Sequence, residues 1–170
     1  MPASGLCSLS DWVQNRTSAI YVAPNKTESK KAIAELFAPH VKASINGRSI
    51  TRQEIDELLL VMRPAEEGAL GFYWTDLVAT PKDSSERGGA VSGMYVIAGL
   101  HLPHPQTGEL VPTYRRKGVA VIIESQSQDL DVDSRKVVEF VSVANNYPLD
   151  QLAVQEKERG SFVSKYGYRL

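Results

Sequence analysis

Hydrophobic residues in the first part of the chain recur every three to four positions, the period of an amphipathic helix. The first stripe consists of Leu9, Trp12, Val13 and Ile20, and Ser8 or Ser10 can cap its start. The segment TESKKAIAELFA, residues 27–38, carries a second stripe, with Thr27 or Ser29 as its cap. This pattern predicts two helices before residue 40.

The stretch SINGRSITRQEIDELLLVM combines a turn with the start of a third helix. HVKASI (40–45) alternates like a short strand, and Asn46-Gly47 is a strong turn signal because both residues tolerate a positive φ. Thr51 and Glu54 have capping-box spacing. One apolar helical face follows, formed by Ile55, Leu58, Leu59 and Met62.

After Pro64 the hydrophobic period falls from 3.6 to 2, which predicts strands. Four segments rich in aromatic and β-branched residues are expected to be long strands, at 70–80, 90–102, 115–125 and 135–145. The polar segment QSQDLDVDS predicts that the last two form an antiparallel hairpin. Helices followed by antiparallel strands indicate an α+β fold, with the helices on one face of a curved sheet.

Composition narrows the function classes. The 170 residues are 42% hydrophobic and 23% charged with a net charge of −1, which gives no basic field for nucleic acid or an anionic membrane. A single cysteine, Cys7, excludes an internal disulfide and a Cys-cluster zinc site. There is no membrane-length apolar run and no secretory signal pattern, so we expect a cytoplasmic protein. No nucleotide-binding or hydrolase motif occurs, and we expect no metal and no cofactor.

The helical start, the segment LFAPHVKASINGRSITRQEIDELLLVMR and the later long strands resemble the nuclear transport factor 2-like superfamily, and within it the SnoaL-like proteins. The resemblance covers roughly residues 8–146. It implies one SnoaL-like domain over residues 1–170, with 147–170 as a C-terminal tail or arm.

The resemblance also implies a shape and a range of activities. Members of the superfamily are cystatin-like α+β cones, in which three N-terminal helices pack on a strongly curved, mostly antiparallel sheet around an internal pocket. Many form homodimers through the outer sheet face. Some are isomerases, dehydratases or cyclases, and others only bind a ligand or a partner.

Three neighbouring residues on the first long strand are candidates for pocket chemistry. Strand alternation places Trp74 and Asp76 on one face and Tyr73 on the other. An aspartate beside a tryptophan on a buried face could have a raised pKa and act as a base. The alternative, which we favour, is that Asp76 faces solvent or caps a loop.

The next strand offers Tyr95 and His101, which share a face if no bulge intervenes. His101, at the strand end, is the second candidate acid–base residue. His104 is close in sequence, but prolines stiffen this segment and no carboxylate is near, so a surface loop is the better interpretation than a metal site.

Two further features could bind a substrate. Tyr114 begins a basic run, Arg115-Arg116-Lys117, that could grip an anionic group, although a solvated start of a strand is the favoured interpretation. Glu139 interrupts the apolar run VVEFVSV, sharing its parity with three valines. That carboxylate either faces the pocket or lies on a half-covered dimer face.

Two hypotheses follow. In the first, the chain is a cofactor-free pocket protein for a small apolar metabolite, in which Asp76 or His101 is the base of an isomerase, dehydratase or cyclase. Tyr73, Trp74, Tyr95, Tyr114 and Glu139 would contact the substrate. In the second, it is a non-catalytic module whose exposed sheet binds a partner or a second copy. A cavity containing Asp76 or His101 favours the first, and a cone filled by Trp74 and Phe72 favours the second.

Overall fold

Three helices and six strands make up the described part of the chain, residues 6–62 and 69–149 of a computed structural model. The helices are α1 (Leu9–Val22), α2 (Lys26–Leu36) and α3 (Arg52–Val61). The strands are β1 (Phe37–Ile45), β2 (Arg48–Ile50), β3 (Gly71–Pro81), β4 (Gly89–Pro103), β5 (Leu110–Ser125) and β6 (Arg135–Pro148).

Side-chain caps start each helix. Ser8 caps α1 by accepting from the Asp11 amide at 3.0 Å. For α2 the predicted hydroxyl caps are wrong, because Asn25 is the cap and accepts from the Glu28 amide at 2.9 Å. The predicted capping box of α3, built from Thr51 and Glu54, is present in both directions.

The six strands form one mixed sheet in the order β2-β1-β6-β5-β4-β3. β1 runs parallel to β6, and the other neighbours are antiparallel, including the predicted hairpin of β5 and β6. Three details differ from the predictions. The helix expected over 27–38 ends at Leu36, and Phe37 already begins β1. The turn at Asn46-Gly47 leads into an additional strand, β2, and β5 begins at Leu110 within the stretch expected to be a loop.

The helices cover one face of the sheet, which we call the inner face, and the main core lies between them. Apolar residues from all three helices pack there against buried side chains of β1, β2, β4, β5 and β6. The apolar side chains of β3 on this face are partly buried and pack against the same core. The α+β fold class is therefore confirmed. The strand β6 continues to Pro148, past the expected core limit of 146. The single-domain prediction stays a prediction, and residues 150–170 of the expected tail lie outside the described residues.

Three one-residue register shifts interrupt the sheet. Each inserts one extra residue into a strand: β3 between Trp74 and Asp76, β4 between Ile97 and Leu100, and β6 opposite Ile122 and Ile123. A bulge of this kind reverses which face the following side chains occupy. The three bulges therefore decide which of the candidate residues face the helices.

Candidate functional site

Asp76 lies on the opposite face of the sheet from Trp74. Trp74 pairs with Tyr95 and Asp76 pairs with Met94, so Thr75 is the bulged residue. Trp74 lines the interior, whereas Asp76 is exposed and accepts from the Leu77 amide at 2.8 Å. The expectation that Trp74 and Asp76 share a face is wrong, because it assumed unbroken alternation.

His101 and Tyr95 are separated in the same way. The bulge of β4 includes Gly99, whose φ of +83° favours glycine. Tyr95 is buried on the inner face, and His101 is exposed opposite Pro112. Neither His101 nor Asp76 lines the interior, and their catalytic role stays a prediction.

The remaining candidates, Glu139, Tyr114 and Tyr73, also lie apart from one another and outside the cavity. Glu139 is exposed on the outer face with two of the valines expected beside it, while the third, Val137, lines the interior because of the β6 bulge. Of the two alternatives for Glu139, the outer face is the one observed. Tyr114 is buried and its ring stacks on Tyr147 at 5.2 Å, and Tyr73 is half-buried. Neither tyrosine lines the interior cavity.

A narrow apolar cavity lies between the helices and the inner face. The part of the cavity that is open to the centre of a water-sized sphere has a volume of about 30 Å³. That space suits a very small guest, because a well-studied engineered cavity that binds benzene measures about 150 Å³. Valine, isoleucine, leucine and phenylalanine side chains from all three helices and from the sheet form most of the wall. The polar side chains in the wall are Thr17, Tyr21, Trp74, Tyr95 and Lys117.

Lys117 is the one ammonium side chain in this wall. Its side chain is 3% exposed, and its Nζ lies 4.9 Å from the centre of the Phe140 ring. Burial, and secondarily the nearby Arg115 guanidinium, lower the pKa of Lys117 from 10.5 to about 7. Among residues 6–62 and 69–149, no carboxylate lines the cavity to compensate the charge. Lys117 is therefore a buried amine close to half-deprotonated at neutral pH.

Trp74, Tyr95 and Lys117 form a row across three neighbouring strands, since Tyr95 is the direct partner of both. The indole Nε1 of Trp74 is buried and has no hydrogen-bond partner within the part of the chain that the structure describes. The Tyr95 hydroxyl lies 3.3 Å from that of Tyr21, and burial raises the pKa of Tyr21 to about 12 and that of Tyr95 well above 10. Both hydroxyls therefore remain protonated, and the row presents more donors than acceptors.

The sequence contained a signal for Lys117 that the interpretation of a solvated basic run missed. Lys117, Val119, Val121 and Ile123 alternate along β5, and the last three are buried. A lysine that continues the parity of an apolar strand face is positioned to point inwards. Arg115 shares this parity and is half-buried, with its Nη1 2.8 Å from the Met62 sulfur.

The outer face of the sheet carries an exposed apolar strip. Val143 is 67% exposed and Val78 is 65% exposed. We define the outer strip as Val78, Met94, Ile122, Val141 and Val143, all of them exposed. Shallow grooves run between these side chains. Asp76, Ser92 and Glu139 line the same grooves. An exposed apolar strip with a polar surround is typical of an interaction site.

The described residues contain neither a membrane-spanning helix nor a cluster of metal-binding side chains. No helix in residues 6–62 and 69–149 has the length and apolar character needed to cross a membrane. Within the same ranges, no group of three or more histidine, cysteine, aspartate or glutamate side chains could hold a metal ion.

Comparisons with known proteins bear on the fold. No protein-family model matches the chain, and no curated protein matches it. Solved structures do. A CaMKII hub from S. rosetta aligns at a TM-score of 0.56 and 11% identity, over 85% of this chain and 100% of that one. A SnoaL-like polyketide cyclase from Agrobacterium tumefaciens aligns at 0.52 and 12% identity, over 90% and 99%.

A third similar structure is an NTF-2 like protein of unknown function from Pseudomonas aeruginosa, with a TM-score of 0.52 and 11% identity over 82% of this chain and 99% of that one. At such identities the likeness concerns the fold and not the activity. The three helices, the bent six-stranded sheet and these alignments agree. The chain has the α+β cone fold of the nuclear transport factor 2-like superfamily, to which SnoaL-like proteins belong.

Proposed function

We propose that this chain binds a small, largely apolar molecule in the cavity between the helices and the inner face. The observation that carries the proposal is the buried indole N–H of Trp74, which has no hydrogen-bond partner among the described residues, in the same apolar wall as Lys117, which is 3% exposed. Buried donors are normally satisfied, and each unsatisfied one costs about 1–3 kcal/mol. A guest with one oxygen acceptor and a short apolar body would satisfy a donor and fill the cavity.

Binding can be tested by filling the cavity. Val119 lines the cavity, and Val22 is exposed on α1, so V119F and V22F make the same chemical change in the two settings. A panel of small alcohols, ketones and ethers should raise the melting temperature of the wild type and of V22F, because a ligand that binds only the folded state stabilises it. V119F should lose this response. An unchanged response in a folded V119F would refute the cavity as the site.

An isomerase, dehydratase or cyclase activity would add a base to this binding site. The candidates Asp76 and His101 lie outside the cavity, so a reaction that uses them would take place at the surface. If Asp76→Asn and His101→Ala each leave turnover of an identified substrate unchanged, neither is the base. The cavity itself offers Lys117 as the group able to exchange a proton near neutral pH.

A homodimer is the second proposal, and the outer strip supports it. The strip is apolar and exposed on the face away from the helices, and a second copy of the same strip would cover it with matching apolar surface. In this arrangement the partner would not contribute to the cavity, so dimerisation and ligand binding are separable.

The dimer can be tested by placing a charge on the strip. Val141 is 54% exposed within it, and Val61 is 74% exposed at the end of α3. Light scattering should give a dimer for the wild type and for V61E, and a monomer for V141E, because a carboxylate in an apolar interface must lose its hydration. A monomeric wild type at high micromolar concentration would refute the proposal.

A further inference from the structure

The buried amine of Lys117 is the most unusual group in the described part of the chain. It lies in the cavity wall beside Phe140 and is 3% exposed, and neither a hydrogen bond nor an ion pair holds its nitrogen among the described residues. A lysine with a structural role normally has a carboxylate or carbonyl partner. Lys136 shows the contrast, since its Nζ donates to the carbonyls of Ala34 and Glu35 at 2.7 Å.

We propose that Lys117 is a nucleophile that captures a small aldehyde or ketone in the cavity as an imine. The inference rests on the proposed function, because it requires the cavity to admit a ligand, and it names the class of that ligand. An amine is nucleophilic only when neutral, and a lysine in an apolar pocket or near another cation is the arrangement that makes it so. Both causes act on Lys117, through burial and through Arg115.

The groups around the amine fit this chemistry. Of the described residues that line the cavity, Tyr21 of α1, Tyr95 of β4 and Lys117 of β5 are the titratable ones. The remaining lining residues, on α2, α3 and the other strands, have no ionisable side chain, and Arg115 is the charged group that acts on Lys117 from nearby. The described lining residues therefore include no anion to hold Lys117 in its protonated form.

The reaction balances without a co-reactant. The Lys117 nitrogen attacks the carbonyl carbon, and the C=O π electrons move to oxygen. A proton transfer from nitrogen to oxygen gives a neutral carbinolamine. The hydroxyl then leaves with the second nitrogen proton as water, and a C=N bond forms. Nothing is oxidised or reduced. The two tyrosine hydroxyls share one hydrogen bond, so one of their protons is free to assist the leaving oxygen.

The size and polarity of the cavity restrict the substrate. The free space is about 30 Å³ for the centre of a water-sized sphere, so a short aliphatic chain is the natural body for the carbonyl. The wall is apolar apart from the row of Trp74, Tyr95 and Lys117 and two α1 residues. A charged or multiply hydroxylated compound would leave polar groups without partners. Acetaldehyde is therefore a suitable probe, and ethanol is its match in shape without a carbonyl.

The test traps the imine on the intact wild-type chain. Acetaldehyde is added with sodium cyanoborohydride at a series of pH values, and peptide mapping measures ethylation at each lysine. Lys117 should be labelled first, with a half-maximal rate near pH 7, and at that pH it should react faster than the exposed Lys31 on α2. The K117R variant should lose the fast adduct, and K31R should keep it. Labelling of Lys117 no faster than that of Lys31 at pH 7 would overturn the proposal.

The alcohol separates this proposal from the one on which it rests. If ethanol and acetaldehyde both raise the melting temperature but Lys117 gains no adduct, the cavity binds ligands and the imine is refuted. If neither compound shifts the melting temperature and no adduct forms, the binding proposal and the imine both fail. A fast adduct at Lys117, lost when V119F fills the cavity, supports both.

Discussion

Replacing Lys117 by methionine should stabilise the protein, and the gain should shrink as the pH rises. Methionine keeps a long unbranched side chain beside Phe140 without the amine. In the unfolded chain the lysine keeps its proton up to about pH 10.5, while in the folded chain it releases it at about 7. Between these values the unfolded state binds more protons, so the free energy of unfolding of the wild type rises with pH.

The size of this effect follows from the two pKa values. Each pKa unit is equivalent to about 1.4 kcal/mol, so burial of the amine costs the folded wild type about 4 kcal/mol at pH 7 and about 2 kcal/mol at pH 9. K117M removes this cost. The difference in unfolding free energy between variant and wild type should therefore fall by about 2 kcal/mol from pH 7 to pH 9.

Urea unfolding at pH 7, 8 and 9 measures this difference directly. Other titrating groups contribute equally to the wild type and the variant, and their effects cancel in the comparison. The matched control is K31M on the exposed side of α2, whose difference from the wild type should not change with pH. If the curves of K117M and wild type stay parallel from pH 7 to pH 9, the reasoning about the buried amine is wrong.

Three further substitutions test the structure around the site by urea unfolding at one pH. Thr51→Ala removes the cap of α3 and should lower the free energy of unfolding by about 1 kcal/mol. T51S is the control, because it retains a hydroxyl. Equal stability of T51A and the wild type would contradict the capping box. Gly93→Ala should lower the free energy of unfolding by about 1–3 kcal/mol, because the new Cβ would lie 2.5 Å from the Asp76 carbonyl oxygen and 2.8 Å from the Trp74 ring. G118A is the control and should be tolerated, because there is open space around Gly118. Trp74→Phe should cost little or nothing in spite of the lost ring, because it removes an unsatisfied buried N–H, and a loss as large as that of W74A would show that the indole N–H has a partner.

The sequence predicted the fold well because the fold depends on repeated signals. Helical and strand periods each persist over ten or more residues, so a single exception does not hide them. The cap of α2 was missed for a local reason. Asn25 is one of the best N-cap residues, but two hydroxyl residues nearby compete for the same role in the sequence, and only the backbone decides among them.

The site was harder to predict because it depends on parity, which a single inserted residue reverses. Trp74 and Asp76 are two positions apart and would share a face in a regular strand, but the bulge at Thr75 separates them. The sequence around Thr75 has no glycine or proline to mark that bulge. Lys117 was missed for the opposite reason. β5 is regular there, so strand alternation alone predicts that Lys117 faces inwards, but two neighbouring arginines made the segment resemble a solvated face.

The parallel pairing of β1 with β6 also has a consequence for how the chain reaches its native state. Ala43 pairs with Phe140, so the partner of β1 is made only after more than half of the chain has followed it from the ribosome. Contacts so distant in sequence form slowly, because a large loop must close before they contribute. α2 also packs against β6, so part of its apolar side stays uncovered until the last strand is synthesised. The need for chaperones during translation should therefore last until β6 has emerged from the ribosome. A chain truncated before β6 should be incompletely folded and prone to aggregation.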